Sequence, residues 1–347
     1  MRPSRQGWPQ NEKVEVMEKK STGLMKRILG VFVIPLITFL IVWSVCRFNN
    51  IELFASKGNW IAFFRAAASV MLTTLALSVN LNSGRFDFSI GAVALFSSVI
   101  SAQICMKFQL PVFVMLLVSI CAGLLLGTIS GAVYVITKLP PIIVSLGVTL
   151  LYEGAAFAVT DGYGVSFVAN KELTAFPRVR NYLLIIAAAL VITIIIFDYT
   201  SFGYRYRALL SGQKVSVNTG IREIPNAVGC YAIAGALMGA VGFISATNTG
   251  TIQMSLNFGS IGVMFTAFLP MFIGGFIGRF CNERIGYLLG AVTTAFISLA
   301  YARLKVDSSV QQIITALILV LFLIYLNNEN KITGMFGRRK NIRRQDV

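Results

Sequence analysis

From Phe108 to Thr137 the chain runs for thirty residues without a charged side chain. A helix rising 1.5 Å per residue needs about 20 residues to cross the roughly 30 Å hydrocarbon layer of a bilayer, so this run has lipid, not water, as its solvent. Comparable apolar windows lie at Ile28–Cys46, Ala66–Gly84, Phe88–Met106, Pro141–Thr160, Tyr182–Phe197, Ala227–Thr247, Gly262–Gly278, Ile285–Ala302 and Ser308–Asn327. In hydrocarbon every backbone polar group needs an internal partner, which helices supply and open strands do not. The expected fold is therefore all-α, a polytopic membrane protein of about ten transmembrane helices. Its domain plan is a basic leader, 1–27, a transmembrane domain, 28–327, and a basic tail, 328–347.

Charge sets the expected orientation. The formal net charge is +16, and Lys and Arg crowd both ends, which points to anionic headgroups and membrane topology and away from nucleic acid. Placing both termini inside puts 21 of the 30 Lys and Arg residues on the inner side and leaves 9 for the other face and its helix ends. The chain is thus expected to be N-in and C-in, its first apolar run kept as a span behind a cytoplasmic leader.

Several function classes lose their residues. There is no histidine, hence no imidazole for metal binding or proton shuttling. Cys46, Cys105, Cys121, Cys230 and Cys281 are scattered and read as small apolar residues, neither a disulfide framework nor a zinc spacing. No GxxxxGK[ST], HExxH or GxSxG motif occurs. The expectation is a non-enzymatic protein with no catalytic residue, no metal and no cofactor of its own.

The stretch SGRFDFSIGAV, Ser83–Val93, sets Arg85 and Asp87 between long apolar runs. It reads as a broken or re-entrant helix joint, with Asp87 capping the helix that follows and Arg85 reaching from the interface to a phosphate or a neighbouring carboxylate. Glu153 is the acid placed furthest inside a span, and the expense of charge in hydrocarbon makes it a candidate for a pathway role or a capped helix-end acid. The pairs Gly127/Gly131 and Gly235/Gly239 give the four-residue spacing that lets helices approach closely in lipid. The segment Asn248–Gly262 offers Asn248, Gln253, Asn257 and several hydroxyls without a fixed charge, a lining suited to neutral polyols or sugars and a place for a gate. The loop Asp198–Gly229 alternates aromatic and basic residues, so that Tyr204 and Tyr206 would sit in the interface and Arg205 and Arg207 would reach headgroups, or a short helix would dock a soluble partner.

Four landmarks together resemble the permease subunits of bacterial ABC importers of the ribose, galactose and xylose type. NSGRFDFSIG, Asn82–Gly91, is similar to the family signature T/S-G-G-I-D-L-S-V-G, with Gly84, Asp87, Ser89 and Gly91 as its matching residues. KLPPIIVSLGVTLLYEGAAFAVTDG, Lys138–Gly162, resembles the stretch in which a basic turn leads to F-I-x-T-L-G, with Glu153 where arginine is often found. FGYRYRALLSGQKVSVNTGI, Phe202–Ile221, looks like the cytoplasmic coupling region, and IGGFIGRFCNERIGYLLGA, Ile273–Ala291, like a glycine-rich turn between late spans.

The resemblance implies a multi-pass protein of the bacterial inner membrane that moves a monosaccharide or related polyol. It implies a second permease subunit, identical or not, and an extracytoplasmic solute-binding protein. It also implies a cytoplasmic ATPase that carries ATP and Mg and docks on Gly212, Gln213, Lys214, Val215, Ser216, Val217, Asn218, Thr219, Gly220 and Ile221. A branched-chain amino-acid permease and an ion-coupled secondary transporter, the latter using Glu153 and Asp87, are the alternatives.

Overall fold

The computed structural model describes the backbone of residues 10–342 and the side chains of residues 27–328, so the leader and tail expected at the two ends lie mostly outside the described side chains. Among the described residues, ten helical segments are long and apolar enough to cross a membrane. In chain order the helices are α1 (Gln10–Phe48), α2 (Lys57–Leu81), α3 (Ile90–Phe108), α4 (Val112–Thr137) and α5 (Pro141–Val159), then α6 (Val179–Ile194), which runs into a π turn (Ile195–Tyr199). After them come two short helices, α7 (Ser201–Ser211) and α8 (Gln213–Asn218), then the long α9 (Glu223–Thr249). The chain closes with α10 (Gly262–Phe265), α11 (Phe268–Ile277), α12 (Glu283–Leu304) and α13 (Ser308–Ile342). A two-residue ladder, β1 (Val165–Ser166) against β2 (Thr251–Ile252), pairs Val165 with Ile252 in the antiparallel sense and ties two loops at one end of the bundle.

Local sequence explains several boundaries. Lys138 closes α4 in the left-handed region, and Pro141 begins α5 at a position where a missing N–H costs nothing. The second span begins earlier than the uncharged window at Ala66 suggests, because α2 carries Lys57 and Arg65 in its first turns and Arg65 donates to the Asn248 side chain. One more break lies inside the apolar window at 259–277, where a 3₁₀ turn (Gly259–Ile261), α10 and α11 divide what composition reads as one span.

The core is formed by α2, α3, α9 and α12, with α1 and α13 outside. On the outer helices, large apolar side chains such as Phe32, Leu36, Leu317 and Leu321 are exposed, as lipid-facing residues must be. The tightest seam joins α4 to α9. A Cβ on Gly127 would lie 2.9 Å from the Gly235 Cα, and one on Gly235 would lie 2.8 Å from the Gly127 Cα, so both positions need glycine for the backbones to touch. The expected glycine stripe is therefore a helix-to-helix contact.

The same contacts fix the depth of the joint at Ser83–Gly91. Helix α4 runs antiparallel to α9 and to α3, so α3 and α9 are parallel, and Ala94 of α3 sits against Gly242 of α9. At 1.5 Å per residue, α3 then starts about 16 Å below the C-terminal end of α9, well within the length of that helix. The joint enters the bundle interior, as a broken helix does.

Candidate functional site

Two unwound segments meet beside the start of α3. The first is the joint itself. Asp87 is buried; its Oδ1 accepts from Ser89 N (2.9 Å) and Ser89 Oγ (2.6 Å), and its Oδ2 accepts from Asn80 Nδ2 (3.1 Å). The residue that precedes α3 is Ser89, so the carboxylate holds the turn leading into the helix and does not cap the helix's own free N–H groups as expected from the sequence. Gly84 takes φ +74°, a conformation that a residue with a Cβ rarely adopts. The second segment descends from β2 through Asn257 and Phe258, both left-handed at φ 56° and 66°, into the 3₁₀ turn.

Glu153 joins them. Its side chain is buried, Oε2 accepts from Phe258 N (3.0 Å) and Oε1 from Ser260 N (2.8 Å). It is the capping acid of a turn more than a hundred residues away in sequence. Gly91, in the first turn of α3, lies directly against the Ser260 carbonyl, where any side chain would overlap it. Phe86 and Phe88 pack on Phe268 and Phe265 with ring centroids 5.9 and 6.3 Å apart, so aromatic contacts hold the two breaks together.

Above this junction α3, α9 and the descending segment enclose a cavity of about 450 Å³. Ser98, Ser245, Thr249, Gln253, Ser255 and Ser260 line it, and no ionisable side chain does. Of the expected gate residues, Gln253 faces the cavity. Asn248 turns away to Arg65, Asn257 is an exposed turn residue, and Glu153 acts from behind the wall. Ser98 and Ser245, on the interiors of α3 and α9, carry no motif that would have singled them out.

At the opposite end of the bundle the joint meets the α7–α8 region. Gln213 Nε2 donates to Glu223 Oε1 (2.6 Å), and that carboxylate lies 3.7 Å from Arg85 Nη2. Arg85 is buried and also donates to Ser83 Oγ (3.0 Å). It points to a carboxylate inside the protein, and the headgroup reading is set aside. Alongside, Glu283 accepts from Arg284 Nη1 (2.8 Å), Asn82 Nδ2 (3.0 Å) and Tyr287 Oη (2.5 Å), while the Arg284 guanidinium stacks 4.7 Å above Phe197. Glu223 and Glu283, first-turn acids of α9 and α12, were not expected as site residues; their helix N-terminal positions were the one available signal.

Within the expected docking segment, Lys214, Val215, Val217, Asn218 and Thr219 are exposed on α8 or its end. Ser216 is buried and donates to the Ala208 carbonyl (2.7 Å), and Ile221 N returns to Ser216 O (3.1 Å). Gly212 links α7 to α8 in an extended conformation, and Gly220 turns the chain into α9 at φ +92°. On α7 Tyr204, Arg205 and Arg207 are exposed, whereas Tyr206 does not take the interfacial place expected of it. Tyr206 is buried and donates to Val79 O (3.1 Å), with burial holding its phenol well above the ordinary range, and Arg207 donates to Phe197 O (2.6 Å) and Asp198 Oδ1 (3.1 Å). Residues 204–207 span a full helical turn and cannot share one face, so one of the four, Tyr206, turns inward.

Residues 61–286 match the family described as branched-chain amino acid transport system, permease component. The chain belongs to this permease family. It is similar to the ribose import permease of Haemophilus influenzae, 24% identical over 82% of this chain and 89% of the relative. It is also similar to the autoinducer 2 import system permease of Photorhabdus luminescens, 25% identical over 76% and 80%, and to the galactofuranose transporter permease of Escherichia coli, 25% identical over 69% and 70%. These relatives and the ten apolar helices make it a multi-pass permease of the bacterial inner membrane.

Proposed function

We propose that the chain is the membrane-spanning subunit of an ATP-driven importer that carries a monosaccharide or related neutral polyol. The observation that carries the reading is the cavity of serine, threonine and glutamine side chains without a charge. A sugar offers hydroxyls that such groups match as donors and acceptors. An amino acid would bring a carboxylate and an ammonium into a low-dielectric site with no counter-charge, a costly arrangement. The relatives named for ribose and galactofuranose import support the sugar reading over the amino acid of the family description.

In this reading both termini are cytoplasmic, the chain itself catalyses nothing, and a separate ATPase holds ATP and Mg. That ATPase docks on α8, and movement passes from Gln213 through Glu223 to Arg85 and the joint. The distances along this route support it. A second permease subunit and an extracytoplasmic binding protein complete the assembly. An ion-coupled mechanism is less well supported, because the oxygens of Glu153 and Asp87 are already taken by fixed N–H and O–H donors.

Affinity purification of the tagged permease from detergent extracts, with the co-expressed ATPase, tests the docking. The ATPase is expected to co-purify with the intact chain and to be lost when residues 213–221 are replaced by a Gly/Ser segment of equal length. Retention with the replaced segment would contradict the assignment.

A further inference from the structure

We propose that Ser245 of α9 is a specificity-determining residue, its hydroxyl touching the solute in the cavity; the inference rests on the cavity being part of the solute pathway. Val241, Gly242, Ser245, Ala246 and Thr249 recur at helical spacing and form one stripe of α9 along the cavity wall. Gly242 packs against the Ala94 carbonyl of α3, which closes one edge of that stripe. From Met238 to Thr247 every residue of α9 is buried except Ser245, which is exposed. Since Ser245 also lines the cavity, the surface it shows is cavity surface.

Helical serine and threonine in this bundle commonly donate to a carbonyl three or four residues back. Ser98 donates to Leu95 O (2.7 Å), Ser101 to Ser98 O (3.0 Å) and Thr247 to Phe243 O (2.8 Å). Ser245 has the carbonyls of Val241 and Gly242 at the same spacings, yet its hydroxyl makes no hydrogen bond with any described residue; its own carbonyl accepts from Thr249 Oγ1 (3.2 Å). The hydroxyl therefore keeps its donor and its lone pairs for whatever fills the cavity. Ser98, on the α3 wall, is buried and has already given its hydrogen to Leu95, so the serine of α9 is the one a solute meets.

The surroundings define the ligand class. Gln253, on the segment that follows β2, also lines the cavity, is exposed, and has a side-chain amide without a hydrogen bond to any described residue. Ser245 and Gln253 can each donate and accept, and no ionisable side chain lines the cavity with them. A compound with several hydroxyls and no formal charge satisfies both. A C–H in place of the hydroxyl that meets Ser245 forfeits that bond, which is how one serine distinguishes a sugar from its deoxy analogue.

The test uses the full complex of permease, ATPase and binding protein in proteoliposomes, with radiolabelled D-ribose and D-fructose and their monodeoxy analogues as probes. Discrimination by the binding protein is common to all permease variants, so the change in the sugar-to-analogue ratio isolates the membrane site. S245A is expected to lower uptake of the transported sugar by roughly 2- to 10-fold, the loss of one hydrogen bond between uncharged partners, while uptake of the analogue lacking the matching hydroxyl stays at the wild-type rate. A second readout checks that the position meets water and not lipid: with Cys121 and Cys281 replaced by serine, S245C in the same complex is expected to react with a charged methanethiosulfonate reagent. Wild-type ratios in S245A, an equal fall for the sugar and every analogue, or an unreactive S245C would overturn the site and leave the transport reading standing. Failure of the wild-type complex to take up any probe would overturn the transport reading and the site with it.

Discussion

The carboxylate of Glu153 shows how a charge is kept inside an apolar span: both oxygens accept backbone N–H groups that have no helical partner of their own. Removing it leaves two N–H groups of an already strained turn unmet. Glu153→Ala is expected to destabilise the detergent-solubilised protein by about 1–3 kcal/mol, seen as a lower midpoint in thermal unfolding followed by tryptophan fluorescence, with Glu153→Gln intermediate. An unchanged midpoint for the alanine variant would show that the turn holds without the clamp. The sequence marked Glu153 as expensive and placed Asp87 at the joint, because both inferences need local context alone. It did not show that the partners of Glu153 are Phe258 and Ser260, since nothing local records a contact across more than a hundred residues. Tyr206 was read as interfacial for the same reason: residue type is local, whereas its burial against Val79 and Phe197 is set by the fold.

Among the elements, spans were legible because hydropathy over 20 residues reports the solvent directly. Breaks were legible where charged residues marked them, as at Ser83–Gly91; the one at 259–277 carries Ser260, Thr266 and Pro270 but no charge, and a hydropathy window reads through it. The α4–α9 seam makes a sharp prediction. Gly127→Val is expected to force the helices apart and to destabilise the protein by about 1–3 kcal/mol, read as a lower unfolding midpoint and lower yield from membranes, whereas Gly147→Ala, where a Cβ meets nothing within 4 Å, is expected to be tolerated. The contact between α8 and the joint makes another. The pair of Arg85 and Glu223 is long, and the Glu223 side chain is about a third exposed, so its direct contribution to stability is small. Its worth lies in coupling: Glu223→Gln is expected to lower solute uptake per ATP hydrolysed by roughly 2- to 30-fold while the ATPase still co-purifies. Unaltered stoichiometry would remove Glu223 from the route.

Across the whole molecule, the proposed function is divided between two ends of one bundle. The junction of the two breaks lies between an uncharged cavity and a part-buried charge cluster, so a shift at α8 has a continuous set of contacts through which to reach the cavity wall. The proposed N-in, C-in orientation, read from the distribution of Lys and Arg, predicts that a cysteine replacing the exposed Val215, in a variant whose exposed Cys121 is serine, reacts with an impermeant maleimide in inverted vesicles and not in intact spheroplasts.

The central claim, that transport here is driven by nucleotide hydrolysis on a partner chain, is tested most directly by solute uptake into proteoliposomes that contain the complete complex. With ATP and Mg on the ATPase side, accumulation of D-ribose or D-fructose is expected to continue in the presence of a protonophore and to stop when ATP is replaced by a non-hydrolysable analogue. Accumulation that persists without hydrolysable nucleotide and collapses with the protonophore would contradict the account.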